Sequence, residues 1–597
     1  MSNGIEKIQE VADEPAMHRA VWALFLIGSA AFAADELTLD PVVVNAVPAD
    51  ILSQDSVVPK QKIRTDPVSS SGSIGRSLLT RTTLPISETG IPGEPSSVRG
   101  SGRSADDLDA RIFGVPMNPP QGGGFNFSSF PSFLWSEVRY QPGPGLSGSE
   151  PRAVSGQLQL VPWSFEALNV DQKQSGFGAR QFFSSAGILQ TAAMGTTGLR
   201  DGSGVAGVMG VSEGSAKGPS GSFSAVKNLG ENKLRFHLIG TNIRSDSLGT
   251  VSYVTPRASI ENARVIPVLQ FDTSAIQTSA FAELARIDYR DPDSSLFTLD
   301  LVQQVGANTV YKKQGWRLGL GGRYVYYRAR DRGTFKEAVG QIQITRTQAF
   351  SEKWVFEPSL ALTEVTSFSV YPVWSAGLSR TDTWGGEIYF RAGASRRTPS
   401  LLDRHYGIAG FFVPNPNLKP EFTTTAILGW QKDSGDLTLG SRFQGQQITD
   451  ARVMQGLQPV NAGKARILSW ATDASFQWNA EHRLNSSFLV NLSELEAPGR
   501  STEPFFGLPA WTQIGSWDWD KGRWGTSLAY RWTSGFKNSF GPSVGPTVYA
   551  DWSGRYRVNS TFEVGARVDN LWDANVRLAA DYPRLLRRFS LLLSATF

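Results

Sequence analysis

From Phe589 to Phe597 the chain alternates between two kinds of position. Phe589, Leu591, Leu593, Ala595 and Phe597 point one way; Ser590, Leu592, Ser594 and Thr596 point the other. A period of two predicts a β-strand with one apolar and one wetter face. The same pattern recurs upstream. Leu234, Phe236 and Leu238 alternate with Arg235, His237 and Ile239, and Phe297, Leu299 and Leu301 with Thr298, Asp300 and Val302. Trp316, Leu318, Leu320, Tyr324 and Tyr326 share a face, as do Trp354, Phe356, Leu360 and Leu362 opposite Lys353, Glu357, Ser359 and Thr363. Trp524, Thr526, Leu528, Tyr530 and Trp532 form another after the turn Asp520-Lys521-Gly522. Aromatics gather at strand ends, where a membrane-interface girdle sits. A soluble sandwich strand reads the same way locally. An apolar-out, polar-in strand ending on Phe is what an outer-membrane barrel shows at its closing edge, so the pattern predicts an all-β membrane protein with a large antiparallel barrel.

Composition sharpens this. The chain has 60 Gly, 34 Phe and 17 Trp, and no apolar run long enough for a spanning helix. It has 0 Cys, so neither a disulfide framework nor a thiolate metal site is available. A net charge of +4 over 597 residues argues against a nucleic-acid partner. His18 and Arg19 precede an apolar stretch, Ala20 to Ala31, and Ala31-Phe32-Ala33 has the small-x-small pattern of a secretory cleavage site after Ala33. Glu6, Glu10, Asp13 and Glu14 are acidic where a basic lead is wanted, so translation is expected to start at Met17, within a leader covering 1–33. The stretch is too short for a membrane anchor.

Three parts follow. Residues 34–60 are rich in Pro, Val and Asp and read as an extended tail; 61–160 are rich in Gly, Pro and Ser and read as a small loop-rich domain; 161–597 carry the barrel pattern. At about 10 residues per membrane strand and roughly 10 per connection, the last part holds about 22 strands, with roughly 20 or 24 equally allowed. No enzyme constellation stands out. His18, His237, His405 and His482 have no metal-ligand spacing, and Gly122-Gly123-Gly124 lacks the Lys-Ser/Thr of a phosphate loop. Asp106, Asp107 and Asp109 lack calcium-loop spacing and read as a solvated acidic turn. No cofactor or metal is expected. Gly122, Gly123, Gly124, Phe125 and Phe127 form either a ligand-contacting apex loop or plain packing against the wall.

Colinear stretches resemble the TonB-dependent outer-membrane receptor family across nearly all of the chain after the leader. Leu39-Asp40-Pro41-Val42-Val43-Val44-Asn45-Ala46 is similar to the TonB box. Val98-Arg99-Gly100, Gly114-Val115-Pro116-Met117-Asn118, Phe130-Pro131 and Glu137-Val138 follow the order of plug signatures. Arg391 to Arg396, Thr398 to Leu401, Asn415 to Glu421, Asn461 to Ala465 and Asp569 to Asp573 resemble the barrel landmarks. There are departures: Phe113 stands where the family commonly has Asp, Arg139-Tyr140-Gln141-Pro142 replaces an Arg-Gly-Pro, Ser155-Gly156 is a reduced paired glycine, and Ile427 replaces a Glu.

The resemblance implies an N-terminal α+β plug in the lumen of a monomeric outer-membrane barrel of the Gram-negative cell envelope. It also implies uptake of a scarce large ligand, such as a ferric siderophore or cobalamin, driven by TonB and its inner-membrane complex. Residues 39–46 would contact TonB as an added strand, which uses backbone hydrogen bonds; a mere linker is the other reading, since Pro41 removes one donor. Arg99 would latch the plug to wall carboxylates, because a desolvated Arg needs an acceptor. Arg139 and Glu387 would make up for the missing latch residues, or the plug would be held loosely. Phe589, Leu591, Leu593 and Phe597 would be read by the barrel-assembly machinery before the strand meets outer-membrane lipid. A passive porin, or an adhesion barrel without TonB coupling, are the rival readings.

Overall fold

The computed structural model describes residues 61–64, 74–88, 96–99, 107–119, 122, 124–143, 155–163, 175–198, 201, 203–247, 254–294, 296–330, 333–382, 385–405, 412–496, 503–504, 507–537, 543–578 and 584–596. The leader, the segment 39–46, Gly123 and Phe597 lie outside them.

Among the described residues the wall is a closed antiparallel barrel running from Ser175–Ser184 to Arg588–Thr596, which pair with each other to shut it. It has 22 strands, one of them built from Gly333–Arg346 and the short Gln348–Ala349, which both pair with Trp354–Val365. The alternation seen in the sequence becomes two surfaces. Phe589, Leu591 and Leu593 are exposed on the outside, while Ser590 and Leu592 between them are buried. Likewise Leu269, Leu284, Val305, Ile342 and Leu468 face outward. The inward positions are largely Ser, Thr, Gln and Arg, which water or a polar plug must satisfy.

Because consecutive strands are antiparallel, alternate connections fall at opposite ends. Connections 398–420, 497–510, 534–546 and 570–587 all emerge at one end, whereas the other has tight turns such as 230–231, 314–315 and 522–523. Long connections mark the extracellular end of such barrels, and short turns the periplasmic end.

Inside the barrel sits a five-stranded mixed sheet. Its strands are β1 (Gln61–Arg64), β4 (Leu108–Ile112), β5 (Val115–Pro116), β6 (Trp135–Pro142) and β7 (Gly156–Pro162), in the order β1-β6-β7-β4-β5. Only β4 and β7 run parallel. A hairpin of β2 (Ile86–Glu88) and β3 (Ser96–Val98) and the short helix α1 (Ile74–Leu78) complete it. β4 and β7 are buried along their whole length, so both sheet faces are covered. One apolar cluster joins the two bodies, packing Ile74, Leu108, Phe130 and Leu160 with Val208, Ile266, Phe281 and Tyr549 of the wall. The barrel lumen is therefore filled.

Candidate functional site: the plug and its anchors

The β4–β5 turn shows how sequence and wall fit together. Phe113 and Gly114 have φ of 50° and 83°, the left-handed pair a tight hairpin uses. A non-glycine residue there costs about 1–2 kcal/mol. Contacts offset that cost: the Phe113 ring stacks on His237 of the wall at 3.8 Å, 13° from coplanar, and Gln270 Nε2 donates to its carbonyl at 3.3 Å. Gln304 Nε2 donates to the Pro116 carbonyl at 3.1 Å and also bonds Glu283, which pairs with Arg264 at 2.9 Å. The phenylalanine that departs from the family pattern is thus a wall contact.

Toward the extracellular end, the expected apex loop is folded in rather than out. Phe125 and Phe127 are 4% and 1% exposed and meet edge to face at 5.0 Å, with Phe130 stacked on Phe125 at 5.5 Å. Asn126 Oδ1 accepts from the Ser96 and Ser128 amides at 3.0 and 3.1 Å, fixing the loop. Gly122, at φ +110°, lies so close to Ser400 that a Cβ would come within 2.6 Å of its Oγ. Gly124 is half-buried. Of the two readings the rings follow the packing one: Phe125, Phe127 and Phe130 are core together with Trp135, which Phe130 meets at 5.5 Å, and the four bury more area than any could alone.

The latch differs from expectation as well. Arg139 bonds Glu137 two positions along its own strand, Nε to Oε1 at 2.6 Å. Glu387 accepts from Gln431 at 3.1 Å on the wall near the periplasmic end. The two do not meet, because both find partners locally. Arg99 lies at the opposite end, against the connection 497–510; a Cβ on Gly507 would collide with its guanidinium.

The ionic tie runs the other way round. Asp107 of the plug pairs with Arg397 of the wall, and Arg397 also donates to Glu421 at 2.9 Å. Arg397 is 3% exposed, and Asp109 binds Arg111 at 2.7 Å beneath it. The acidic turn is therefore not solvated: two of its carboxylates are buried and paired, which is how buried charge survives. At the same rim Asp403 of α2 (Leu401–His405) pairs with Arg452. Glu421 opens the strand Glu421–Asp433 directly after Pro420, which lacks the amide a ladder would need.

A second anchor is Arg531. Its Nη1 donates to the carbonyls of Leu79 and Thr82 at 3.2 and 2.7 Å, and its Nη2 to that of Leu84 at 3.1 Å. One wall arginine thus collects the carbonyls that follow α1. Alongside, Asp551 pairs with Arg567 at 2.7 Å and accepts from Thr80 Oγ1 at 3.4 Å, and Arg76 reaches the Leu586 carbonyl at 3.5 Å. These contacts are many, individually modest and mostly polar.

The family model described as "TonB dependent receptor-like, beta-barrel" matches residues 103–571. The chain belongs to the TonB-dependent receptor family. It is accordingly an outer-membrane protein of the Gram-negative type and not an enzyme. Solved structures confirm the fold at low identity. The copper transporter OprC is 14% identical with a TM-score of 0.74, over 92% of this chain and 99% of that one. The siderophore receptor PiuA from Acinetobacter baumannii is 12% identical, TM-score 0.72, over 91% and 97%. The FrpB iron transporter from Neisseria meningitidis is 11% identical, TM-score 0.75, over 90% and 99%. A curated relative, the vitamin B12 transporter BtuB of Vibrio vulnificus, is 23% identical over 232 residues, 37% of this chain. The match spans only 36% of that relative's length.

Proposed function

We propose that this chain imports a scarce, bulky metal chelate, a ferric siderophore or a cobalamin, as a monomer energised by TonB. The observation carrying this reading is the filled lumen. A plug tied to the wall by Asp107–Arg397 and by Arg531 leaves a large solute no passive route, so a partner must supply work. The outer membrane stores no ion gradient, and the anchors are polar bonds of the kind a pull from the periplasm can undo in sequence. Residues 39–46 are the segment for that pull, pairing as an added strand with TonB. A passive porin would have no use for the plug.

The test follows accumulation of labelled cobalamin and of labelled ferric siderophores in cells. Deleting residues 39–46 should abolish uptake of one of these while surface binding persists, matching a strain without TonB. Undiminished accumulation after the deletion overturns the coupling. Absence of uptake of every chelate by the intact protein overturns the ligand class.

A further inference from the structure

The connection that follows Arg397 turns inward. Arg397 ends the strand Gly386–Arg397, and Ser400 and Leu402 just beyond it lie over Gly122 of the plug, where an added Cβ would come within 2.6 and 3.7 Å of them. α2 then reaches sideways across the mouth. Arg404 sits 4.8 Å over the Phe368 ring one strand away, and His405 stacks on Phe335 three strands away. Leu401 joins the buried cluster of Val302, Tyr327 and Ala329, and Tyr327 is four strands from Arg397. At about 4.8 Å per strand that is a reach of roughly 19 Å. Residues 398–405 are therefore a strap lying inside the mouth.

The strap is also held from its other side. Along the strand Leu437–Gln455 the pairing slips between Ile448 and Ala451, and Asp450 takes a φ of 55°, a strained value for a residue with a side chain. At this bulge the Arg452 guanidinium meets Asp403 of the strap, and its amide meets Glu421, the carboxylate that also receives Arg397. Ser400 and Asp403 bond each other reciprocally: Ser400 Oγ donates to Asp403 Oδ2 at 2.8 Å, and the Asp403 amide donates to Ser400 Oγ at 3.2 Å. One short segment thus has the plug's ionic partner at its root, a cover over Gly122 in its middle and wall anchors at its end.

Thr398 and Ser400, next to Arg397, are fully buried, as is Asp107. The Asp107–Arg397 pair is therefore dry. A dry ion pair resists opening because neither charge can be left alone, whereas the same pair in water exchanges its partner for solvent at little cost.

We propose that residues 398–405 are a gate over the plug's ionic tie. Displaced from the mouth, the strap admits water to Asp107–Arg397 and the plug loosens on that side, while the Arg531 anchor, six strands round the wall, holds. A body settling on the plug from outside must move the strap, so arrival outside and the plug's readiness to yield inside are biased by one element. The link holds whichever chelate is carried.

The experiment uses the full-length protein in detergent micelles and reads labelling by a water-soluble maleimide. Two single-cysteine reporters watch the two anchors: Ser155→Cys, buried where Ser155 Oγ donates to the Asp107 carbonyl at 2.9 Å, and Ser77→Cys on α1, ahead of the carbonyls that Arg531 holds. Arg452→Gln frees the strap at Asp403, and Phe335→Ala frees it at His405 without touching a charge. Each should speed labelling at Ser155→Cys at least tenfold and leave Ser77→Cys within twofold. Asp107→Asn should speed it too, and adding Phe335→Ala to Asp107→Asn should gain less than threefold more, since both act through one tie. A rise below threefold at Ser155→Cys in both strap variants overturns the proposal. So does an equal rise at both reporters, which is general loosening, or full additivity with Asp107→Asn. If Ser155→Cys does not give the heat-modifiable gel shift of a closed barrel, hydrogen exchange at Leu108–Ile112 in the chain without a reporter decides on the same terms.

Discussion

Replacing Arg531 by Met keeps the stem of the side chain and removes its three bonds to the carbonyls of Leu79, Thr82 and Leu84. Each is a charge-assisted hydrogen bond of about 1.5–3 kcal/mol, so the gross loss is about 4–9 kcal/mol. Methionine also relieves the desolvation cost of a buried guanidinium, which is several kcal/mol, and about 3 kcal/mol of net weakening remains for the plug segment 74–84. At about 1.4 kcal/mol per decade, that raises the opened population roughly a hundredfold. The chain has 0 Cys, so Ser77→Cys, buried on α1, supplies a unique thiol whose modification rate reports opening. In the Ser77→Cys background, Arg531→Met should speed labelling roughly a hundredfold, and Arg531→Lys should fall between, since an ammonium cannot span three carbonyls. A change below threefold, with the gel shift of a closed barrel intact, would refute the view that this arginine holds the plug.

Placing Lys at Leu593, which faces outward, should reduce the heat-modifiable barrel recovered from membranes, since a lipid-facing charge costs about 2–4 kcal/mol; deleting Phe597 should do likewise, and normal amounts of both would separate this strand from assembly. Val43→Pro should mimic loss of the tail in uptake assays by removing a backbone donor, whereas Val43→Ile should be silent. N-terminal sequencing of the membrane form should begin at Ala34, and a retained Ala20–Phe32 segment would end the leader reading. His405, stacked on Phe335 at 5.2 Å in the connection 398–420, has its pKa lowered by burial and then by Arg404. The folded state thus favours neutral imidazole, so its contribution is full above about pH 6.5 and is lost as pH falls below that value. Hydrogen exchange at 401–405 should rise on acidification, and His405→Phe should abolish the dependence.

The wall was legible because lipid outside and polar surface inside impose a strict period of two on strands such as Leu234–Ile239 and Phe589–Thr596. The strand number followed from arithmetic for the same reason. The anchors were not legible. Asp107 and Asp109 look like a surface turn until the chain is folded, because their counter-ions are fixed by tertiary placement; Arg397 is far away in sequence. A signal did exist: Arg397 alternates with outward Arg396 on a strand and, facing in, required an acid. Phe125 and Phe127 stayed undecided between ligand contact and packing, since glycine-rich flanks suggest exposure while the ring packing that buries them depends on Phe130 and Trp135 further on. Arg139 was expected to help latch the plug to the wall, although Glu137, two positions away on the same strand face, was the nearer partner.

The seam between Arg588–Thr596 and Ser175–Ser184 has a kinetic meaning. Ser590 pairs with Ser184, and Thr596 with Gly178, so the contacts that shut the wall join the two extremes of the barrel sequence. Such a ring cannot close until its last strand has been delivered, and the entropy of bringing the two ends together is met only at that moment. Until then the chain is an open sheet with two unpaired edges, a template for self-association that must be shielded in transit. The plug sheet precedes all of this in the chain and ends up enclosed, with the Arg76 guanidinium reaching the Leu586 carbonyl beside the closing strand. Enclosure and closure are therefore coupled events: the strand that completes the cylinder also seals in a domain that precedes the whole wall in the chain.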